Sequence, residues 1–173
     1  MRTKVTVGTA AAGVALLASV TTAGVAGAMP GDHPDYDKYC TPGQVDVSLS
    51  QLDSAMGKSG GDVQFRAKPG MSCLLGGAPV LSFRDVAGHP LHIPGQYPTD
   101  RGAPVVVDDQ HGATASFSFP RVDGRSGEQL HGPVPSSVNV ALPVPGNATT
   151  VDLPWQQHVE VPGPVDVTPV LTR

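Results

Sequence analysis

The chain has 173 residues, with 11 Lys and Arg against 15 Asp and Glu, and its net charge is −4. A mildly acidic chain lacks the basic field with which proteins hold nucleic acid or an anionic membrane surface, so we expect neither as a partner. Charged residues make up only 15% and aromatic residues 5%, whereas the chain has 21 glycines and 18 prolines. This composition argues against a helical protein and favours many short strands joined by turns.

The N-terminus predicts a signal peptide over residues 1–28. Arg2 and Lys4 give a positive start, and an apolar run rich in Ala, Val and Leu ends in the A-x-A cleavage pattern Ala26-Gly27-Ala28. An uncleaved membrane anchor is the alternative, because the run is nearly long enough to span a bilayer. We expect cleavage after Ala28, and no stable membrane insertion of the mature chain.

The segments that follow alternate between polar and apolar residues. Residues 29–38 are polar and predict a flexible N-terminal segment, and residues 39–173 predict a single β-sandwich domain. In residues 44–50 the apolar side chains fall on every second position, as on a half-buried strand. Residues 57–62 predict a turn, and residues 62–67 a strand that buries Val63 and Phe65. The later predicted strands are 79–83, 90–93, 105–107, 113–119, 137–142, 149–153 and 165–168.

Two of these later strands are informative in their own right. Residues 113–119 alternate most regularly, with Ala113, Ala115, Phe117 and Phe119 on one face. Residues 105–107 are apolar on both faces, which favours a central position in a sheet. With about eight strands and most prolines between them or at their ends, the pattern is typical of an all-β sandwich.

The chain has two cysteines, Cys40 and Cys73. In an exported protein two cysteines most simply form one disulfide. Closing the loop between them contributes roughly 3–4 kcal/mol in the chain-entropy view. A redox-active pair is the alternative, but the sequence has no C-x-x-C motif and no cationic cluster beside Cys73.

One longer stretch resembles a known family. An early cysteine, the alternating Val45–Leu49 and the run Met-Ser-Cys-Leu-Leu-Gly-Gly-Ala-Pro-Val-Leu-Ser-Phe-Arg-Asp-Val-Ala-Gly-His-Pro-Leu are similar to a secreted actinobacterial family, the domain of unknown function numbered 4232. The resemblance covers roughly residues 39–173. It implies export and an immunoglobulin-like antiparallel β-sandwich of about eight strands with one disulfide. Ala78 stands where an aromatic residue often precedes the proline, and the later cysteines of some members are missing.

The family brings no catalytic residues, so candidate chemistry has to come from the residues themselves. A divalent metal site is conceivable from His89, His92, Asp108, Asp109 and His111. However, histidines three positions apart share a face only on a helix, and Pro90 between them argues against one. We therefore predict no metal and no cofactor.

Enzymatic sites are equally poorly supported. A serine hydrolase motif Gly-x-Ser-x-Gly is absent from the sequence, and a copper site would need a cysteine that the disulfide already uses. Trp155 has two interpretations, a plug in the core or an exposed platform on which a sugar or peptide stacks.

These observations predict a secreted, monomeric, non-enzymatic β-sandwich module with no catalytic residues. It would bind a protein or cell-wall partner at the cell envelope or outside the cell. The loops Pro94–Pro104 and Arg121–Ser136 are the expected recognition elements, because a rigid sandwich presents its long loops for binding. Two alternatives stay open, an extracellular hydrolase inhibitor and a secreted metal-binding protein or hydrolase that uses the region of His89, His92, Asp108 and His111.

Overall fold

The computed structural model describes residues 38–146, 149–155 and 158–173. The predicted signal peptide and residues 29–37 of the predicted N-terminal segment lie outside the described residues. The described part of the chain forms 13 strands and contains no α-helix. Accordingly, no helix within it is long and apolar enough to cross a membrane.

The strands are numbered in chain order. They are β1 Val45–Leu49, β2 Asp53–Ala55, β3 Lys58–Ala67, β4 Cys73–Leu75, β5 Val80–Arg84, β6 Pro90–Leu91, β7 Gly95–Gln96, β8 Val105–Val107, β9 Ala113–Pro120, β10 Ser137–Ala141, β11 Thr150–Pro154, β12 Val165–Val167 and β13 Leu171–Thr172.

These strands form two facing sheets and a small third one. The larger sheet has the order β1-β3-β9-β12-β7, with β2 added to β3 and β13 added to β9. The smaller has the order β11-β10-β5-β6, and β4 pairs with β8 in a two-stranded sheet. All pairings are antiparallel except that of β12 with β7. The predicted all-β fold is confirmed.

The core lies between the two main sheets, where strand alternation sends every second side chain inward. Val63 and Phe65 of β3 belong to the same core as Val138 and Val140 of β10, and all four are fully buried. Trp155, which follows β11, joins the layers. Its ring lies 5.4 Å from that of Phe83 in the smaller sheet and 6.2 Å from that of Phe117 in the larger.

The turn predicted over residues 57–62 is wrong. The hairpin turns at Met56 and Gly57, which have φ values of +51° and +75°, and β3 begins at Lys58. Gly60 looked like a turn residue, but it lies inside β3, where a side chain would collide with the carbonyl of Phe117 on β9. This glycine therefore serves a close approach of two strands.

The central position predicted for residues 105–107 is also wrong. Among the described strands β8 pairs only with β4, at the end of the sandwich where β9 begins. Val107 is fully buried, whereas Val106 is 48% exposed. Three valines in a row therefore mark a short strand with one buried face, and apolar periodicity alone does not separate the two cases.

The predicted disulfide between Cys40 and Cys73 is confirmed. The two Cα atoms are 4.9 Å apart, and the residues are separated by 33 positions. Both cysteines are buried, and the Cys40 amide donates a hydrogen bond to the Leu74 carbonyl at 3.0 Å. The bond thus fixes the segment that leads into β1 against β4.

Candidate functional site

The histidines and aspartates considered for a metal site do not come together. His89 lies in the hairpin after β5, at the end of the sandwich where β10 begins. His111 lies in the turn before β9, at the opposite end. Among the described residues, no group of three or more His, Cys, Asp or Glu side chains is arranged to hold a metal ion.

Local turns account for these residues instead. Asp108 Oδ1 accepts hydrogen bonds from the backbone N–H groups of Gln110 and His111, both at 2.8 Å, and it lies 2.9 Å from His111 Nδ1. The two backbone donors lower the pKa of Asp108 below its ordinary value. Asp85 holds its own turn in the same way, through the amides of His89 and Ala87, and its pKa is likewise lowered. These carboxylates stabilise turns.

Trp155 belongs to the core. It is 5% exposed, and its Nε1 donates a hydrogen bond to the Val159 carbonyl at 3.2 Å. Trp155 is therefore a plug in the core and not an exposed stacking platform. No open indole face is available for stacking.

The two long loops lie in different places. In the loop Arg121–Ser136 the Arg121 amide bonds the Gly57 carbonyl, and Asp123 accepts from the amides of Arg125 and Ser126 at 2.8 Å. This loop covers the end of the sandwich beside the β2–β3 hairpin. The loop Pro94–Pro104 contains β7 and runs along one side of the sandwich. The two loops approach the same short segment, because Gly132 lies against Pro162 and Pro94 lies against Gly163.

That side of the sandwich is closed by the chain itself. After β6, the edge of the smaller sheet, residues 92–94 cross directly to β7, the edge of the larger sheet. Ile93 packs against the core from this crossing. The chain then returns, and the Leu81 amide of β5 donates a hydrogen bond to Tyr97 Oη at 3.3 Å. Partial burial raises the pKa of Tyr97 above its ordinary value.

The opposite side is open. Here the edges are β1 of the larger sheet and β11 of the smaller, and no segment of the described chain crosses between them. A groove of about 560 Å³ lies between these two strands. We call it the edge groove. Its apolar lining is Val47, Leu49, Leu52, Phe117, Leu153, Pro154 and Trp155.

The side chains that line the edge groove differ in burial and form a floor and two walls. Phe117 and Trp155 form the floor and are almost fully buried. Val47, Leu49 and Leu153 form the walls and are only half-buried, although their alternation on β1 and β11 points them toward the core. Apolar side chains that face inward and still meet water mark a place where a second chain can complete the packing.

A second depression, of about 510 Å³, is a weaker candidate. It lies beside the turn before β9 and mixes charges of both signs, from Arg66, Asp108, Asp109 and Arg173. The Thr114 hydroxyl at its wall is buried and has no hydrogen-bond partner. Opposed charges at one exposed place favour no single ligand charge, so this depression assigns no chemistry.

Sequence reasoning did not find the edge groove. The alternation of β1 was recognised, but nothing in the sequence indicates that β1 and β11 are edges or that they lie opposite each other. The closest signal is Pro154 at the end of β11, since proline inside a sheet is confined to edges, strand ends and bulges.

Comparisons with known proteins identify the family and nothing more specific. The family model described as a domain of unknown function (DUF4232) matches residues 40–171. No curated protein and no solved structure matches the chain. The match covers most of the sequence and includes both cysteines and both walls of the edge groove. The chain therefore belongs to the DUF4232 family.

Proposed function

We propose that this protein is a secreted, non-enzymatic binding module that acts at the cell envelope or outside the cell and holds its partner in the edge groove. One observation carries this assignment. The two sides of the sandwich differ, because no described segment crosses the β1–β11 side, where the inward-facing Val47, Leu49 and Leu153 lie half-buried along the edge groove. Binding there would bury them without any change in the two sheets.

The remaining features agree with a binding role. The carboxylates of Asp85, Asp108 and Asp123 are engaged in their own turns, which gives them a structural task. The buried disulfide suits an oxidising compartment, as expected for an exported protein. Oxidised cysteines also offer no thiolate for nucleophilic chemistry.

Site-specific photo-crosslinking tests the assignment. A benzophenone amino acid is placed at Gln51 in the edge groove, at Thr99 in one long loop, or at Arg125 in the other, because all three positions are exposed. Each purified protein is irradiated with a cell-envelope fraction and with culture medium. We expect a discrete crosslinked partner from Gln51 alone. A partner captured at Thr99 or Arg125 and not at Gln51 would place recognition on the loops and contradict the groove.

Elemental analysis of the same purified protein tests the non-enzymatic part. We expect no stoichiometric metal. A bound metal that disappears when His89 and His92 are replaced by alanine would favour the metal-binding alternative.

A further inference from the structure

We infer that the partner presents an extended peptide segment, with alternating apolar side chains and flanking Lys or Arg, that adds to the sandwich as a strand beside β1. This inference rests on the proposed function and specifies the chemistry of the partner. Three properties of the groove lead to it, which are the free backbone groups of β1, the side chains below them and the exposed charges beside the groove.

Every second residue of β1 directs its backbone N–H and C=O groups away from β3. Ser50 N donates to the Asp62 carbonyl at 2.9 Å, and Lys68 N donates to the Gln44 carbonyl at 2.8 Å. In an antiparallel pair bonded positions alternate, so the even-numbered residues of β1 bond to β3. The N–H and C=O groups of Val47 and Leu49 therefore point away from β3, and no described residue hydrogen-bonds to them.

The same residues supply the groove wall. The side chains of Val47 and Leu49 line the groove while their backbone groups point out of the sheet edge. A strand added about 4.8 Å from β1 would place every second side chain over the groove, between β1 and Leu153. Backbone bonds would give affinity, and the apolar groove would select alternating apolar residues.

The other wall is a poorer template. The Trp155 amide bonds the Ser136 carbonyl, and the Leu142 amide bonds the Thr149 carbonyl, so the odd-numbered residues of β11 face β10. The outward groups then belong to Thr150, Asp152 and Pro154, and proline has no N–H to donate. β1 is therefore the edge that accepts a strand.

Exposed charges on the strands beside the groove set the charge of the partner. Residues 45–55 and 149–155 contain three carboxylates and no Lys, Arg or His. These are Asp46, Asp53 and Asp152, which are exposed beside the groove and do not line it. Arg66 of β3 lies opposite Asp46, so the balance of charge beside the two wall strands is two negative charges. A basic partner complements this balance, whereas a second copy of this chain would bring the same negative charges. Residues 29–37 carry Asp32, Asp35 and Asp37, so this segment of the chain is also a poor electrostatic match.

Selection from a library of random peptides of about nine residues, enough to span β1, identifies the preference. We expect enrichment of alternating apolar residues with Lys or Arg at the ends. A selected peptide is then resynthesised in two forms. One form carries Glu at the positions of Lys and Arg. The other carries N-methyl groups on alternate residues, which removes the N–H donors along one edge of the peptide strand. N-methylation in the correct register should weaken binding about two- to tenfold per lost hydrogen bond. N-methylation of the other set of alternate residues, whose N–H groups point away from β1, should weaken binding much less.

A pair of protein variants tests the same bonds from the other side. Val47→Pro removes the outward N–H, and Val47→Ala shortens the side chain but keeps the N–H. The bond to β3 is untouched in both, because Val47 does not donate to β3. Proline should weaken peptide binding beyond the effect of alanine. Thermal unfolding of both shows whether they fold, and the N-methylated peptides carry the test if Val47→Pro does not.

The outcomes separate this inference from the proposed function. Peptides that crosslink to the benzophenone at Gln51 but tolerate N-methylation in both registers would overturn strand addition and leave the groove as a binding site. A preference for Glu ends would overturn the basic character of the partner. A dimer in sedimentation that Val47→Pro dissociates would make a second copy the occupant and overturn the basic peptide. Selected peptides that crosslink only outside the groove would overturn both the inference and the proposed function.

Discussion

The gap between the two sheets is covered differently on the two sides of the sandwich. On the β6–β7 side, residues 92–94 cross between the sheets, Ile93 packs into the gap, and Tyr97 returns to hydrogen-bond the Leu81 amide. On the β1–β11 side no described segment crosses, and Val47, Leu49 and Leu153 stay half-exposed above Phe117 and Trp155. The two sides therefore differ in their connections.

One sandwich can thus have a side that its own chain closes and a side that is available for binding. On the closed side β7 pairs in parallel with β12 of the larger sheet, and the Tyr97 hydroxyl accepts a hydrogen bond from the Leu81 amide of the smaller sheet. The open side leaves an edge strand, β1, whose outward backbone groups at Val47 and Leu49 have no hydrogen-bond partner among the described residues, and such an edge is a template for pairing with another chain. The exposed Asp46, Asp53 and Asp152 beside this side disfavour pairing between identical copies, because each copy would bring the same negative charges.

The largest effect should come from the floor of the open side. Trp155→Ala removes a buried ring that contacts Phe83 and Phe117, so we expect a loss of about 3–5 kcal/mol in the free energy of unfolding, measured in urea. Trp155→Phe should cost clearly less because it keeps part of the packing. A loss below about 1 kcal/mol for the alanine variant would mean that the groove floor is not part of the core.

The disulfide should affect the open side more than the closed side. Replacing Cys40 and Cys73 by serine should cost about 3–4 kcal/mol, since the loop between them has 33 positions. Because Cys40 anchors the segment leading into β1, amide hydrogen exchange should rise in Val45–Leu49 before it rises in Val165–Val167. Equal increases in both strands would show that the bond stabilises the whole sandwich evenly.

Gly95→Ala should damage the closed side selectively. A methyl group at Gly95 would collide with the ring of Tyr97, so we expect a loss of about 1–3 kcal/mol and weaker protection of the Leu81 amide. Gly124→Ala is the matched control, because its added methyl group meets nothing within 4 Å. Similar losses in both variants would point to backbone effects of glycine and not to the tyrosine contact.

The smallest expected effect is that of Tyr97→Phe, about 0.5–1.5 kcal/mol for one hydrogen bond. It also has a pH signature. The pKa of Tyr97 is raised from 10.0 in the folded state, so the neutral phenol contributes stability that is present below pH 10.0 and is lost as the pH rises above it. Unfolding of the wild type between about pH 9 and 11 should therefore show a dependence that Tyr97→Phe reduces. An unchanged dependence would mean that Tyr97 does not hold the closed side.

Much of the fold was predictable because its signals are local. The alternation in β1, β9 and β10 identified strands, and the cysteine count identified the disulfide. Gly60 was misread because glycine serves both turns and close strand contacts, and only the neighbouring β9 decides which. Residues 105–107 were misplaced because an apolar run looks alike in a central strand and in a short strand at one end.

The candidate site was not predictable in the same way. His89 and His111 were conceivable ligands of one metal site because their distance is not fixed by the sequence, and the fold places them at opposite ends. Leu49 and Leu153 looked unrelated, being far apart in the sequence, but the fold makes them opposite walls of one groove. Distance across a sheet depends on strand order, which a single sequence does not specify.

The amino-acid sequence by itself determined the secondary structure class, the inward faces of the main strands and the cysteine pair, because alternation and composition act over a few neighbouring residues. The tertiary structure alone decided which strands are edges, which side of the sandwich the chain closes and where apolar wall residues remain half-exposed. Those properties depend on pairing between distant segments, whose energies are settled only when both sheets are assembled.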